Sequence, residues 1–351
     1  MGEVMGVGEG AGAGARIVGT GWAVPANVRT NDDPIFDWLK KHHPHGQDLF
    51  KGYKDRRVLA EGEGLDTLTV PAALQALEMA KVAPADVDLL MGTCSAGPYV
   101  TPDELARLPA LLRMAPRVWT VPLRDDFSNY NAALWFADAL VRAGRIRTAL
   151  VVCAGDWTRR VDYHTPQSIS AADGAGAAVI TATTGAAGGG GAATPQAFEV
   201  VDCETTTDAS WFGTMYMQGE EVRCGHEDDH EHGDLYTKAF FQITEAGQEG
   251  FQTFGAKEPP KAAARLLARN GVRSKDVTLI SHQASSVLID AWQQAIQPGA
   301  YLHTLEQFAN MTVANIPLDV AYYWEKIATD WIVLLAVGID MHTNAMLLKR
   351  A

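Results

Sequence analysis

One order of elements occurs in both halves of this chain, and an internal repeat constrains a fold more than any single residue does. Pro71-Ala-Ala-Leu-Gln-Ala-Leu-Glu-Met-Ala80 carries apolar residues at helical spacing, Ala83-Pro84-Ala85-Asp86 breaks the helix, and Val87-Asp-Leu-Leu-Met91 reads as a short buried strand. The order returns in the second half. Ala262-Ala-Ala-Arg-Leu-Leu-Ala-Arg269 reads as helix, Asn270-Gly271 as its C-cap, Arg273-Ser-Lys-Asp276 as a connection and Val277-Thr-Leu-Ile280 as strand. Asp86-Val87-x-Leu89 matches Asp276-Val277-x-Leu279. A unit of this kind buries its apolar faces by laying a sheet between helices, so the repeat predicts two similar α/β lobes. The chain has 351 residues, more than one core usually covers, and its 47% apolar content can fill two.

Between the two copies, Ala137-Asp-Ala-Leu-Val-Arg142 continues a helix that Ala143-Gly144 ends, and Thr148-Ala-Leu-Val-Val-Cys153 is a strand. Ala172-Asp-Gly-Ala-Gly-Ala-Ala-Val179 leads through small residues into another strand. Gly174 and Gly176 lack the third glycine and the helix start of a dinucleotide loop, so they mark close backbone packing. Residues 185–193 are a Gly/Ala linker by composition. The expected division is a disordered tail at 1–15, a first half at 16–184, the linker, and a second half at 194–351.

A net charge of -13 with no Lys/Arg run argues against nucleic acid or anionic membrane as partner. The longest late apolar stretch, Trp331 to Ile339, is too short to span a bilayer, and the tail lacks a secretory pattern. Cys94, Cys153, Cys203 and Cys224 form no CxxC pair, which suits reduced thiols in a cytoplasmic protein; Cys94 and Cys153 are expected to be buried.

The residues that point to chemistry lie late in the chain. His282-Gln283-Ala284 follows a strand, and Ala309-Asn310-Met311-Thr312 places an Asn in a small-residue loop. A neutral His and an Asn converging on one oxygen would stabilise a developing enolate or oxyanion; otherwise His282 ends a strand and Asn310 holds a turn.

Ile17-Val-Gly-Thr-Gly21 with Pro25, Arg56-Arg57, Ala83 to Leu89, Ala137 to Gly144, Ala149-Leu-Val-Val152, Asp173 to Val179, His282-Gln283-Ala284, and Asn310 with Pro317 together resemble ketoacyl-ACP synthase III of the thiolase superfamily, over roughly residues 16 to 349. The resemblance implies a thiolase-like α/β fold, two pseudo-repeated ββαβα-type halves in a five-layered core, and a homodimer. It implies a Cys at a helix N-terminus that attacks an acyl thioester, and a His and an Asn, matched by His282 and Asn310, that hydrogen-bond a carbonyl oxygen.

The Cys is absent. Alignment back from Ala137 puts Phe127 in its place, alignment forward from Val118-Trp-Thr-Val121 puts Asp125 there, and one small gap selects Ser128; Arg124-Asp125-Asp126-Phe127-Ser128-Asn129 holds no Cys in any register. Three routes follow. Ser128 replaces the Cys, activated by His282, or is only the N-cap of the next helix. Alternatively, His282 and Asn310 polarise the thioester directly while Asp125 or Asp126 serves as base, its pKa raised by burial beside the other carboxylate. In the third, the chain is a non-catalytic partner of a Cys-bearing synthase.

The resemblance further implies that Arg159 helps to hold the nucleotide of CoA or the carrier's phosphate, although Phe50 stands where a second such Arg belongs. His226-Glu-Asp-Asp-His-Glu-His232 matches no closed metal geometry and reads as a solvated loop ahead of a helix at Leu235 to Ile243. His342 falls in a loop that lines the site in relatives, as a spare acid/base group or a structural His. Gly92 to Gly97 is expected in a dimer-facing loop. The expectation is an acyltransferase that moves an acyl group from an ACP or CoA phosphopantetheine thioester to a small-molecule acceptor in polyketide-type metabolism, with no permanently bound cofactor and no metal.

Overall fold

The computed structural model describes residues 14–95, 97, 101–183, 196–218 and 240–351. Ten strands form the main sheet: β1 (Ala15–Ala23), β2 (Leu89–Ser95), β3 (Trp119–Pro122), β4 (Thr148–Asp156), β5 (Asp173–Ala182), β6 (Phe198–Thr207), β7 (Val277–Ser281), β8 (Ala300–Leu302), β9 (Trp331–Val337) and β10 (His342–Arg350). Five longer helices accompany them: α1 (Asp66–Ala80), α2 (Asn129–Arg142), α3 (Ala256–Arg269), α4 (Ser286–Ile296) and α5 (Asn315–Tyr322).

The repeat is written in the strand order. The first half runs β1-β5-β4-β2-β3 and the second β6-β10-β9-β7-β8. In each, neighbours among the first three strands are antiparallel and neighbours among the last three parallel. The two five-stranded units meet edge to edge where Arg16 and Ile17 of β1 pair with Glu199 and Phe198 of β6.

Alternation along the strands sorts side chains between layers, because successive residues point to opposite faces. On β4, Ala149, Val151 and Cys153 face the middle of the molecule, while Leu150, Val152 and Ala154 face α1. The central layer holds α2 and α5, which touch strands of both halves; α1 covers the outer face of the first half, and α3 with α4 that of the second. The result is a five-layered α/β/α/β/α core. On α2 the buried Tyr130, Ala133, Leu134, Ala137 and Val141 follow helical spacing and form the stripe that fills the centre. Gly176 of β5 is small for the reason expected: a Cβ there would strike the Leu318 amide at the start of α5.

Some local expectations change. Phe240–Ile243 is a strand paired with Met215–Gln218, not the end of a helix; the helix begins at Glu245, behind Thr244, whose hydroxyl accepts from the Gly247 amide. Adjacent aromatic residues before a capping Thr favour the extended state. Cys94 lies within β2 rather than in a loop after it, and Cys94 and Cys153 are both buried. Tail residues 1–13, the stretch 184–195 that includes the linker, and the acidic run His226 to His232 lie outside the described residues. No described helix is long and apolar enough to cross a membrane.

Candidate active site

Ser128 is fully buried at the N-terminus of α2. Its backbone starts the helix: its amide donates to the Asp125 carbonyl at 2.5 Å, and its own carbonyl accepts from Ala132 at 2.9 Å. A capping Ser would turn its hydroxyl back onto the amide two or three residues on. Ser128 makes no such bond, and its Oγ lies instead 2.8 Å from Nε2 of His342.

His342 opens β10, directly after the tight turn that joins β10 to β9. Gly338 donates to the His342 carbonyl at 2.9 Å, and Ile339 reaches across to the Asp126 carbonyl at 3.1 Å, docking the turn on the Ser128 loop. No side chain fits at Gly338, where a Cβ would collide with the His342 ring and the Asp126 carbonyl. On the far side of the ring, Nδ1 makes a short contact with the carboxylate of Asp340, and Asp125 Oδ1 lies 3.4 Å from Nε2. Asp340, His342 and Ser128 thus stand in the order carboxylate, imidazole, hydroxyl.

The charges fit that order. Burial is the largest single influence on His342 and pulls its pKa down, but the hydrogen bond to Asp340 and the nearby carboxylates of Asp125, Asp340 and Asp126 outweigh it and hold the pKa above its ordinary value. Asp340 is held low by its hydrogen bond to His342. Asp125 and Asp126 are both pushed up, chiefly by burial, as expected for partly desolvated carboxylates side by side.

A second group of residues assembles around His282, which is buried at the end of β7 and donates its amide to Leu335 at 2.8 Å. Gln283 clamps the neighbouring loop: its Nε2 donates to Thr304 Oγ1 at 3.1 Å and to the Ala309 carbonyl at 2.7 Å, and its Oε1 accepts from the Thr304 amide at 3.0 Å. Asn310 is pinned through its backbone to Ser170 at 2.8 Å and Ala172 at 3.0 Å. Ala309 and Thr312 adopt positive φ, 55° and 54°, a conformation unfavourable for residues with a Cβ and tolerated where surroundings over-determine it.

His282 and Asn310 meet through Asn315. The Asn315 Nδ2 lies 2.9 Å from Asn310 Oδ1 and 3.3 Å from His282 Nδ1, while its Oδ1 accepts from the Met311 amide at 2.7 Å. The Nε2 of His282 is buried without a partner among the described residues. Burial brings the His282 pKa down to about 4, so the ring is neutral near pH 7.

Activation of Ser128 by His282 is therefore corrected. The ring of Phe127, one residue earlier, stacks on His282, and the Ser128 hydroxyl turns to His342, which the sequence left as either a spare acid/base group or a structural His. Asp340 was missed; its only sequence signal is the spacing Asp-Met-His after an apolar strand. Arg159 is exposed, with its Nη2 donating to the carbonyls of Ala60 at 2.8 Å and Glu63 at 2.7 Å, so this nitrogen braces a loop of the same chain. Phe50 packs in an apolar cluster with Phe36 and Leu39. No set of three or more His, Cys, Asp or Glu among the described residues could hold a metal ion. The thiols of Cys94 and Cys153 are raised by burial, the latter to about 12, which makes both poor nucleophiles.

The five layers, the duplicated strand order and a polar cluster at the N-terminus of the central helix define a thiolase-fold protein. The Aquifex aeolicus 3-oxoacyl-[acyl-carrier-protein] synthase III structure aligns with a TM-score of 0.77 at 21% identity, over 96% of this chain and all of that one (100%). The priming β-ketosynthase from the R1128 polyketide biosynthetic pathway aligns with a TM-score of 0.77 at 20% identity, over 98% of each chain. In sequence, residues 128–194 match the family described as 3-oxoacyl-[acyl-carrier-protein (ACP)] synthase III. The β-ketoacyl-[acyl-carrier-protein] synthase III of Gloeobacter violaceus is 29% identical over 95% of this chain and 98% of its own. Over nearly its whole length the chain is thus similar to ketoacyl-ACP synthase III proteins.

Proposed function

We propose that this protein is an acyltransferase in which Ser128 takes an acyl group from a carrier-protein or CoA thioester and passes it to a small-molecule acceptor. The observation that carries the reading is the 2.8 Å contact between Ser128 Oγ and His342 Nε2, with Asp340 behind the ring. His342 accepts the Ser128 proton as Oγ bonds to the thioester carbon. The C–S bond breaks, and the proton goes to the departing thiol. An acceptor hydroxyl or amine then gives its proton to His342, attacks the ester carbon and releases Oγ, which recovers that proton. Asp340 keeps Nδ1 protonated and stabilises the imidazolium between these transfers. The N-terminus of α2 favours negative charge beside Ser128.

His282 and Asn310 polarise a carbonyl in this scheme, and a neutral imidazole suits that role. Arg159, exposed with Nη2 tied to its own chain, offers its remaining donors to a phosphate. A carrier or CoA donor is suggested by the similarity to ketoacyl-ACP synthase III proteins, and polyketide-type metabolism by the similarity to the R1128 priming ketosynthase. Decarboxylative condensation through a thiolate is disfavoured because no Cys stands between Arg124 and Asn129. A homodimer is supported by the open edge of β3, where Trp119 is 58% exposed, and by the exposed Trp135 and Phe136 on α2. The buried free thiols suit a reducing compartment such as the cytoplasm.

Intact-mass measurement after mixing with acyl-CoA or acyl-ACP tests the reading. An acyl adduct is expected in the unmodified protein and absent in Ser128→Ala. If no adduct forms, or if it survives that substitution, Ser128 is not the nucleophile. A second reading, with Asp125 as base in a non-covalent transfer, is favoured by its raised pKa and its 3.4 Å distance to His342. Full activity in both Asp125→Asn and Asp126→Asn removes it.

A further inference from the structure

We propose that Asn315 is the positioning residue that sets the polarity of the His282–Asn310 pair, so that both side chains present N–H donors to a single acceptor-only oxygen. The matching ligand group is a neutral thioester or ketone carbonyl, or the oxyanion that grows from it, and not a carboxylic acid donor or a metal ion. The inference rests on the reading in which this pair polarises a carbonyl.

Backbone amides fix the argument, because an N–H can only donate. The Met311 amide lies 2.7 Å from Asn315 Oδ1, so that atom is the carbonyl oxygen and its geminal atom is the NH2 group. The Thr312 amide lies 2.8 Å from Asn310 Oδ1, which assigns the second carboxamide in the same way. The Asn315 NH2 has two hydrogens and no lone pair. It faces Asn310 Oδ1 at 2.9 Å and His282 Nδ1 at 3.3 Å, and both must accept. With its oxygen engaged by two donors, Asn310 has only its Nδ2 hydrogens left to offer a ligand. With Nδ1 accepting, a neutral His282 carries its hydrogen on Nε2, the buried atom that has no partner among the described residues. Metal binding through that nitrogen would require its lone pair, which this tautomer lacks.

One contact competes. The backbone of Thr312 also reaches the His282 ring and draws its pKa upward, which favours a hydrogen on the nitrogen it meets. Asn315→Asp separates the two influences, since a carboxylate of almost the same shape demands a donor where the amide supplied one.

The experiment is a two-bond proton–nitrogen correlation spectrum of protein labelled with nitrogen-15 histidine, with the His282 signals assigned by their loss in His282→Gln. Near neutral pH the unmodified protein is expected to show His282 with Nε2 protonated and Nδ1 bare. In Asn315→Asp the pattern inverts or becomes that of an imidazolium, and kcat for acyl transfer falls by roughly a hundredfold with little change in KM, the scale for loss of one oxyanion donor. A bare Nε2 in the unmodified protein overturns the proposal, and this spectrum decides the matter even if Asn315→Asp does not fold. An unchanged tautomer in a folded Asn315→Asp overturns it as well. The tautomer is read without turnover, so the expected spectrum together with a missing Ser128 adduct would reject Ser128 as the nucleophile and leave the role of Asn315 standing.

Discussion

The ring of Phe127 lies almost parallel to that of His282, with centroids 4.8 Å apart and planes inclined by 8°. This stack divides the site in two. Phe127 covers the imidazole, and the next residue, Ser128, points to a different His. In the proposed function, nucleophile activation and carbonyl polarisation fall to separate imidazoles, one with a raised pKa and one held neutral.

The division can be tested by placing a thiol beside His282. Phe127→Cys places a thiol beside His282, while the half-buried ring it removes costs stability on the order of 1–3 kcal/mol. A thioester adduct is expected on incubation with acyl-CoA, and it should persist when Ser128→Ala is added. Intact mass before and after neutral hydroxylamine, which cleaves thioesters faster than ordinary esters, checks the outcome; the absence of any adduct in the double variant would show that residue 127 does not face the acyl-binding space.

The pH dependence of Ser128 acylation follows from His342. The ring accepts a proton only when neutral, so acylation is expected to rise with pH through a midpoint above the ordinary His value of 6.5. Asp340→Asn removes the hydrogen-bonding carboxylate that counters desolvation. The midpoint then moves to lower pH, while the plateau rate drops by roughly a hundredfold or more because the imidazolium loses its counter-charge. Single-turnover rates across pH measure both effects. A midpoint that stays in place would mean that Asp340 does not govern the ring.

Much of the architecture was legible because it is local. The repeated Asp-Val-x-Leu turns at Asp86 and Asp276 precede β2 and β7, which hold corresponding places in the two strand orders. His282, Gln283 and Asn310 could be read from short runs for the same reason: each sits at a strand end or in a loop whose small residues are adjacent in sequence. The Ser128–His342 pair could not. Its partners are separated by 214 residues, and their contact depends on how the β9–β10 turn docks against the Asp126 carbonyl, a fact of tertiary packing. The strand at Phe240–Ile243 was misread as helix because four residues are too few to distinguish the two periodicities.

Gly338 gives a test of that docking without touching a reactive group. A methyl group there must displace either the His342 ring or the loop that carries Asp126. Gly338→Ala is therefore expected to keep the fold, with the melting temperature lowered by only a few degrees, but to slow Ser128 acylation by about a hundredfold or more, since small misplacements of a catalytic base are costly. Thermal melts and acylation rates on the same sample check the two halves, and a normal rate would mean that His342 need not hold its observed position.

The depressed pKa of His282 makes itself felt in stability. In the folded protein the ring stays neutral down to about pH 4, whereas in the unfolded chain it takes up a proton below about 6.5. Between these values the unfolded state binds the additional proton, so this residue makes stability rise with pH, by at most about 1.4 kcal/mol per unit, and fall on acidification. His342, with a raised pKa, contributes in the opposite sense and loses its stabilising contribution as pH rises through its folded value. Comparing the unmodified protein with His282→Gln isolates the first effect. Urea unfolding from about pH 4.5 to 7 should show a shallower dependence in the variant, because Gln binds no proton in either state. Equal slopes would place a protonated or solvated His282 in the folded protein and remove the basis for a neutral donor pair.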